Sequence, residues 1–192
     1  KMDGNWQDSV GTLHGTNNGS TTFTMSSRVG SHAGDFDDTD DYISLGAAPV
    51  TTKNFTISMW AKSEDTNSNL LFWEDETQFA ISSILQGRIY DGTSMYSVIG
   101  TSAIELNSWA MYTLTADGNN LKAYINGVQE GATLDISGAG VPRATLPGQF
   151  GKDESPNYFS GQIDDVAIWS SALTETELKM IYDRQKQKYA GH

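Results

Sequence analysis

Apolar and polar residues alternate with period two over most of the chain, and this alternation is its main structural signal. Residues 55–61 put Phe55, Ile57, Met59 and Ala61 on one side of an extended backbone and Thr56, Ser58 and Trp60 on the other. Trp60 therefore falls on the polar face, where a covering loop would bury it or a ligand would use it. Further extended stretches are predicted at 12–16, 70–73, 78–82, 87–90, 94–99, 108–115, 121–125 and from 149. Turn formers separate them, with Asp117-Gly118-Asn119-Asn120 and Asn126-Gly127 as the firmest hairpin signals. Residues 34–45 alternate around Phe36 and again around Tyr42 with acidic turn residues between, the pattern of a hairpin. Residues 135–147, rich in Gly, Ala and Pro, read as a long irregular connection.

The last strand, 161–169, carries the sharpest anomaly. A regular strand would place Asp164 on one side with Val166 and Ile168, and Ile163, Asp165, Ala167 and Trp169 on the other. A carboxylate is thereby aimed where apolar residues go, and it needs a cation, a cluster of backbone N–H groups or a hydroxyl. After it, Thr174 and Glu177 form a capping box, and Leu178, Ile181 and Tyr182 supply one apolar stripe, so a short C-terminal helix is predicted. About twelve short strands at this spacing make an all-β antiparallel sandwich, and a chain of 192 residues fits one such domain.

Composition narrows the partners. Asp and Glu number 24 against 12 Lys and Arg, a net charge of −12, which argues against nucleic acid and anionic membrane surfaces. The absence of cysteine removes disulfides, thiol catalysis and zinc–thiolate sites. No apolar run reaches membrane-spanning length, and no signal peptide is visible. The start at Lys1-Met2-Asp3, in mid-pattern, is the expectation for a domain (1–192) excised from a larger extracellular protein.

Read in order, the pieces resemble laminin-G-like domains of the concanavalin A-like lectin/glucanase superfamily. The resemblance rests on Trp6, Asp8-Ser-Val-Gly11 and His14-Gly15; on Gly34-Asp-Phe-Asp37 and Asp40-Asp-Tyr-Ile43; on Phe55 to Trp60; on Trp109 and Leu114-Thr115; on Leu121 to Gly127; and on Phe159 to Trp169 with Ala172-Leu-Thr174. It implies a jelly roll of two antiparallel sheets and a structural calcium where the N-terminal loop meets the last strand, with Asp8 and Asp164 as metal ligands. The alternative from the residues alone is that Asp164 accepts backbone N–H bonds from the N-terminal loop. This chain has Asp38 where the family pattern has Gly, and it lacks the disulfide of animal members, which favours a microbial surface protein.

Candidate chemistry is sparse. Catalysis on this fold would resemble the laminarinase type, Glu-x-Asp-x-x-Glu on one strand, and no stretch has that spacing; Glu74-Asp75-Glu76 comes closest. The three histidines, His14, His32 and His192, are scattered, so no His-based metal site or hydrolase triad is assembled. The five aspartates between residues 35 and 41 fail the helix-loop-helix calcium spacing and read as a solvated acidic turn or a metal site. Sugar recognition needs aromatic faces and polar side chains, and Trp73, Tyr90, Tyr96 and Tyr158 lie at strand ends or beside loops. The expectation is a non-catalytic, secreted or cell-surface module that binds a glycan or glycosylated surface. Its alternative is a protein-binding or spacer domain of an adhesin with no sugar site.

Overall fold

The alternation around Phe55 becomes β5 (Asn54–Ser63), the middle strand of one seven-stranded antiparallel sheet. The structure, a computed structural model, describes residues 4–189 except 67, 74–76 and 154–156. Across this inner sheet the order is β12 (Val128–Asp135), β11 (Asn120–Ile125), β10 (Ala110–Asp117), β5, β14 (Ser160–Trp169), β3 (Ala33–Asp37) and β2 (Thr22–Thr24). The second sheet runs β1 (Gly15–Asn18), β4 (Tyr42–Leu45), β13 (Gln149–Phe150), β6 (Ser68–Trp73), β7 (Thr77–Ile81), β8 (Ile84–Tyr90) and β9 (Met95–Ala103). The two-sheet antiparallel jelly roll expected from the sequence is the observed fold, and β6 to β9 form a meander.

Phe55, Ile57, Met59 and Ala61 meet Leu71, Phe79, Leu85 and Val98 in one core between the sheets. At Gly87 an added Cβ would lie 2.3 Å from Leu114 Cδ1, so a side chain there would push the sheets apart. The Asn126-Gly127 turn joins β11 to β12 with φ of 55° and 78°, both positive as a two-residue hairpin turn requires. Asp38, standing where the family pattern has Gly, also has a left-handed φ, 62°.

Residues 34–45 do not form a hairpin. β3 pairs with β14 and β2, whereas β4 pairs with β1 and β13, so the acidic turn between them carries the chain from one sheet to the other. Alternation reports that two strands are each half-buried, and a corner between sheets satisfies it as well as a hairpin does.

Trp60 is buried, under α1 (Glu175–Tyr189), in a small second core with Val29 and Met111 against which Trp109, Ile181 and Tyr182 pack. The Trp60 and Tyr182 rings stack at 5.6 Å. The capping box forms as the sequence implies. Glu177 Oε2 accepts the Thr174 N–H at 2.8 Å, and Thr174 Oγ1 accepts the Glu177 N–H at 3.3 Å.

Candidate functional site

Asp164 sits where it does because β14 is not a regular strand. Its register against β5 shifts between Asp164 and Ala167, and Asp165 takes a left-handed φ of 43°. The bulge resets the alternation. Ile163 opposite Ala61 and Ile168 opposite Ile57 both face the core, and Val166 packs against it, while Asp164, opposite Trp60, turns to the outer face. It is fully buried there beneath residues 28 and 29. Its Oδ2 accepts the Arg28 and Val29 N–H groups at 2.8 and 2.7 Å, and its Oδ1 accepts the Asp165 N–H at 2.7 Å. Burial pushes its pKa up to about 6 against the opposing pull of these three N–H groups.

Asp8 is engaged differently. Its Oδ1 accepts the Val10 and Gly11 N–H groups at 2.9 Å each, its Oδ2 accepts the Leu13 N–H at 3.1 Å, and its own N–H donates to His14 Nδ1 at 3.1 Å. The N–H groups of Gly11 and Val10 hold its carboxyl below the usual range despite some desolvation. Asp8 lines a cleft of about 720 Å³ between the sheets, together with Trp6, Asn54, Val166 and Trp169. Asp8 and Asp164 thus each face three N–H donors. The implied calcium does not fit this pair, because a calcium cage presents oxygens to the ion and these carboxylates already face positive N–H ends.

In the acidic turn, oxygens of Asp37, Asp40 and Asp41 come within 4.8 Å of one another. Asp41 is buried and accepts the Ser20 N–H at 2.8 Å and the Asp37 N–H at 3.2 Å. Burial raises its pKa against those bonds. It acts as an acceptor that ties the corner to the N-terminal segment.

The four aromatic candidates divide. Trp73 is fully buried in the core opposite Thr77, so it offers no ring to a ligand. Tyr96 pairs with Ile89 on the inward side of β9 and packs against the same core. Strand-end position suggested accessibility for both; the inward parity of its strand buries Trp73 fully, while Tyr96 faces inward and stays half-buried. Tyr90 stands half-exposed on the outer face of the second sheet, and Tyr158 lies next to that face. Lys152 Nζ is 4.6 Å from the Tyr42 ring and 5.5 Å from the Tyr158 ring, which groups two aromatic rings around one ammonium. Glu74-Asp75-Glu76 lies outside the described residues.

The register also assembles a polar row that no single strand displays. Thr16, Ser44, Gln149, Phe72, Gln78, Arg88 and Ser97 are successive ladder partners across all seven strands. The parallel row one residue away, Ile43, Phe150, Leu71, Phe79, Gly87 and Val98, is buried. One row is core and the other is outer face. Phe72 is the sole apolar member of the outer row, and Gln149, Gln78, Arg88 and Ser97 are half-exposed around it. Six strand spacings of about 4.8 Å make the row roughly 29 Å long. Tyr42 flanks it on one side and Tyr90 on the other. Sequence reasoning missed Gln78, Arg88 and Gln149. Their signal was the polar half of each alternation, which gains meaning only once the strand order is known.

A polar, ring-flanked outer face thus lies on a two-sheet antiparallel jelly roll. The chain belongs to the concanavalin A-like lectin/glucanases superfamily, whose laminin G family model matches residues 37–179. Among solved structures it is similar to domain 4 of AbnA, a GH43 extracellular arabinanase from Geobacillus stearothermophilus, in complex with arabinotriose. That match has 19% identity, covers 93% of each chain and has a TM-score of 0.76. The binding domain of Paraclostridial Mosquitocidal Protein 1 matches at 17% identity over 96% of this chain and 50% of its own, with a TM-score of 0.78. The receptor binding domain of botulinum neurotoxin C/D mosaic serotype matches at 16% identity over 91% of this chain and 47% of its own, with a TM-score of 0.70. The chain spans about half the length of these two toxin domains. At such identities the likeness shows the fold. No curated protein matches the chain. No helix among the described residues is long and apolar enough to cross a membrane.

Proposed function

We propose that this protein is a non-catalytic carbohydrate-binding module that works outside the cell and takes a neutral oligosaccharide across the outer face of the second sheet. The observation that carries the reading is the row from Ser44 through Gln149, Phe72, Gln78 and Arg88 to Ser97. Amide, guanidinium and hydroxyl groups there meet the donors and acceptors of sugar hydroxyls, and the rings of Tyr42, Tyr90 and Tyr158 suit the apolar faces of pyranose or furanose rings. The fold neighbours support the reading, since one is an arabinanase domain solved with arabinotriose and others are binding domains of toxins. A net charge of −12 repels polyanionic glycans and leaves neutral ones favoured.

An array of neutral oligosaccharides, arabino-oligosaccharides included, tests this. Binding by the wild type that falls about 10–100-fold in Arg88→Ala, the loss of about 1.5–3 kcal/mol from charge-assisted hydrogen bonds, is the expected result. A uniformly blank array on folded protein would favour the spacer or protein-binding reading instead.

A further inference from the structure

The edge strands β12 and β9 belong to different sheets, and Glu130 ties one to the other. Its Oε2 accepts the Thr101 and Ser102 N–H groups at 3.2 and 3.0 Å, and its Oε1 accepts the Ser102 hydroxyl at 2.9 Å. Burial works against its charge, but these donors outweigh it and hold the pKa below the usual range, so Glu130 is ionised. Beside it lies a pocket of about 210 Å³, lined among others by Ile104, Glu105, Ala110, Tyr112 and Ile125. The Tyr112 ring belongs to the core and the residue is 1% exposed, yet its hydroxyl has no hydrogen-bond partner among the described residues. Burial and the charge of Glu105 both raise its pKa, so it is a neutral phenol close to that carboxylate, with a donor and two acceptor lone pairs unused.

No Lys, Arg or His lines the pocket among the described residues. Two carboxylates and an unanswered phenol therefore stand beside an apolar wall with no cation on it. A water molecule would serve the hydroxyl but leave both charges unmatched, and a bare metal ion would meet the oxygens without using the wall. A guanidinium fork wants both oxygens of a carboxylate, and on Glu130 only Oε1 has a lone pair to spare. An ammonium is a point charge that needs only one.

We propose that this pocket holds the ammonium end of an alkylamine, of the kind that a lysine side chain or a free diamine carries. Its three N–H donors bond Tyr112 Oη, Glu105 and Glu130 Oε1, and its methylenes lie against Ile104, Ala110 and Ile125. Drug-sized ligands occupy roughly 300–1,000 Å³, so this smaller space takes one such group. The site shares no residue with the polar row and does not rest on the glycan reading.

Amide-resolved NMR titration of the whole chain tests it with pentanediamine, with Nα-acetyl-lysine methylamide and with pentanol as the uncharged counterpart. An amine should give saturable shifts at the amides of Ile104, Glu105 and Glu130, and pentanol should give none. Saturation by the diamine alone supports the site as one for free amines, and saturation by the lysine amide as well supports it as one for side chains. Glu105→Gln and Tyr112→Phe should each weaken binding about tenfold or more, as the loss of a hydrogen bond to a charged group does. Neither should lower the melting temperature, because Glu105 is exposed and the Tyr112 hydroxyl has no protein partner to lose. A marked drop in Tyr112→Phe would show that hydroxyl satisfied within the protein and overturn the site. Equal shifts with pentanol would overturn the cation, and no shift with either amine would overturn it in favour of water. Shifts spread over the acidic surface without saturation, or affinity unchanged in both folded variants, would overturn the pocket.

Discussion

Replacing Asp164 by Asn separates the two forces acting on that carboxylate. The amide oxygen can occupy the Oδ2 position and keep the Arg28 and Val29 N–H bonds, but the amide nitrogen then faces the Asp165 N–H, donor to donor. One unsatisfied buried donor costs about 1–3 kcal/mol relative to the protonated acid, whose hydroxyl oxygen still accepts. The wild type adds a pH dependence of its own. With a folded pKa of about 6 against an ordinary 3.8, the folded state binds the Asp164 proton more tightly than the unfolded chain. Stability from this group is therefore full below about pH 4 and is lost as pH rises through 6, a change of about 3 kcal/mol. Asp164→Asn should thus melt about 4–8 °C below the wild type at pH 4, for a cost of about 2 kcal/mol at roughly 2–4 °C per kcal/mol. By pH 7 that deficit should have closed and turned into an advantage of about 1 kcal/mol for the variant, since the wild type has then lost about 3 kcal/mol against the variant's constant cost of about 2. Calorimetric melting of both proteins at half-unit steps from pH 4 to 7.5 reads the difference directly and cancels the other carboxylates. A deficit constant across that range would refute the raised pKa. A deficit growing with pH would show that the three N–H bonds outweigh burial.

Two further outcomes test placements made above. Trp73→Ala should lose about 3–5 kcal/mol and at least 6 °C of melting temperature, as a fully buried indole does, whereas Tyr90→Ala should melt close to the wild type; equal losses would place Tyr90 in the core. Incubation with common β-glucans should release no reducing sugar, because retaining hydrolysis needs two carboxyl groups about 5–5.5 Å apart and the chain lacks the Glu-x-Asp-x-x-Glu spacing. Turnover abolished by Glu76→Gln would contradict that.

Local signals were legible where the backbone itself dictates them. The Asn126-Gly127 turn, the Thr174–Glu177 box and the inward set of β5 all follow from residues adjacent in sequence. The misreadings share one physical cause, that parity and pairing are set by neighbours distant in the chain. The bulge at Asp165 reverses the side on which Asp164 lies, and nothing in Ile163-Asp164-Asp165-Val166 marks the extra residue. Residues 34–45 alternate as a hairpin would, yet their two halves join different sheets. The need of Asp164 for backbone N–H groups was readable from its charge, but the donors at Arg28 and Val29 were not. The polar row draws its members from seven strands, and the bonds that Thr101 and Ser102 donate to Glu130 join residues 29 and 28 positions apart.

The proposed outer-face site meets its most direct test in isothermal titration of the oligosaccharide that scores highest on the array into the wild type and into Gln78→Ala/Arg88→Ala. Both side chains are half-exposed ladder partners, so the double variant should keep its melting temperature while losing at least tenfold in affinity. Wild-type affinity in a folded double variant would contradict the placement of the ligand on this face.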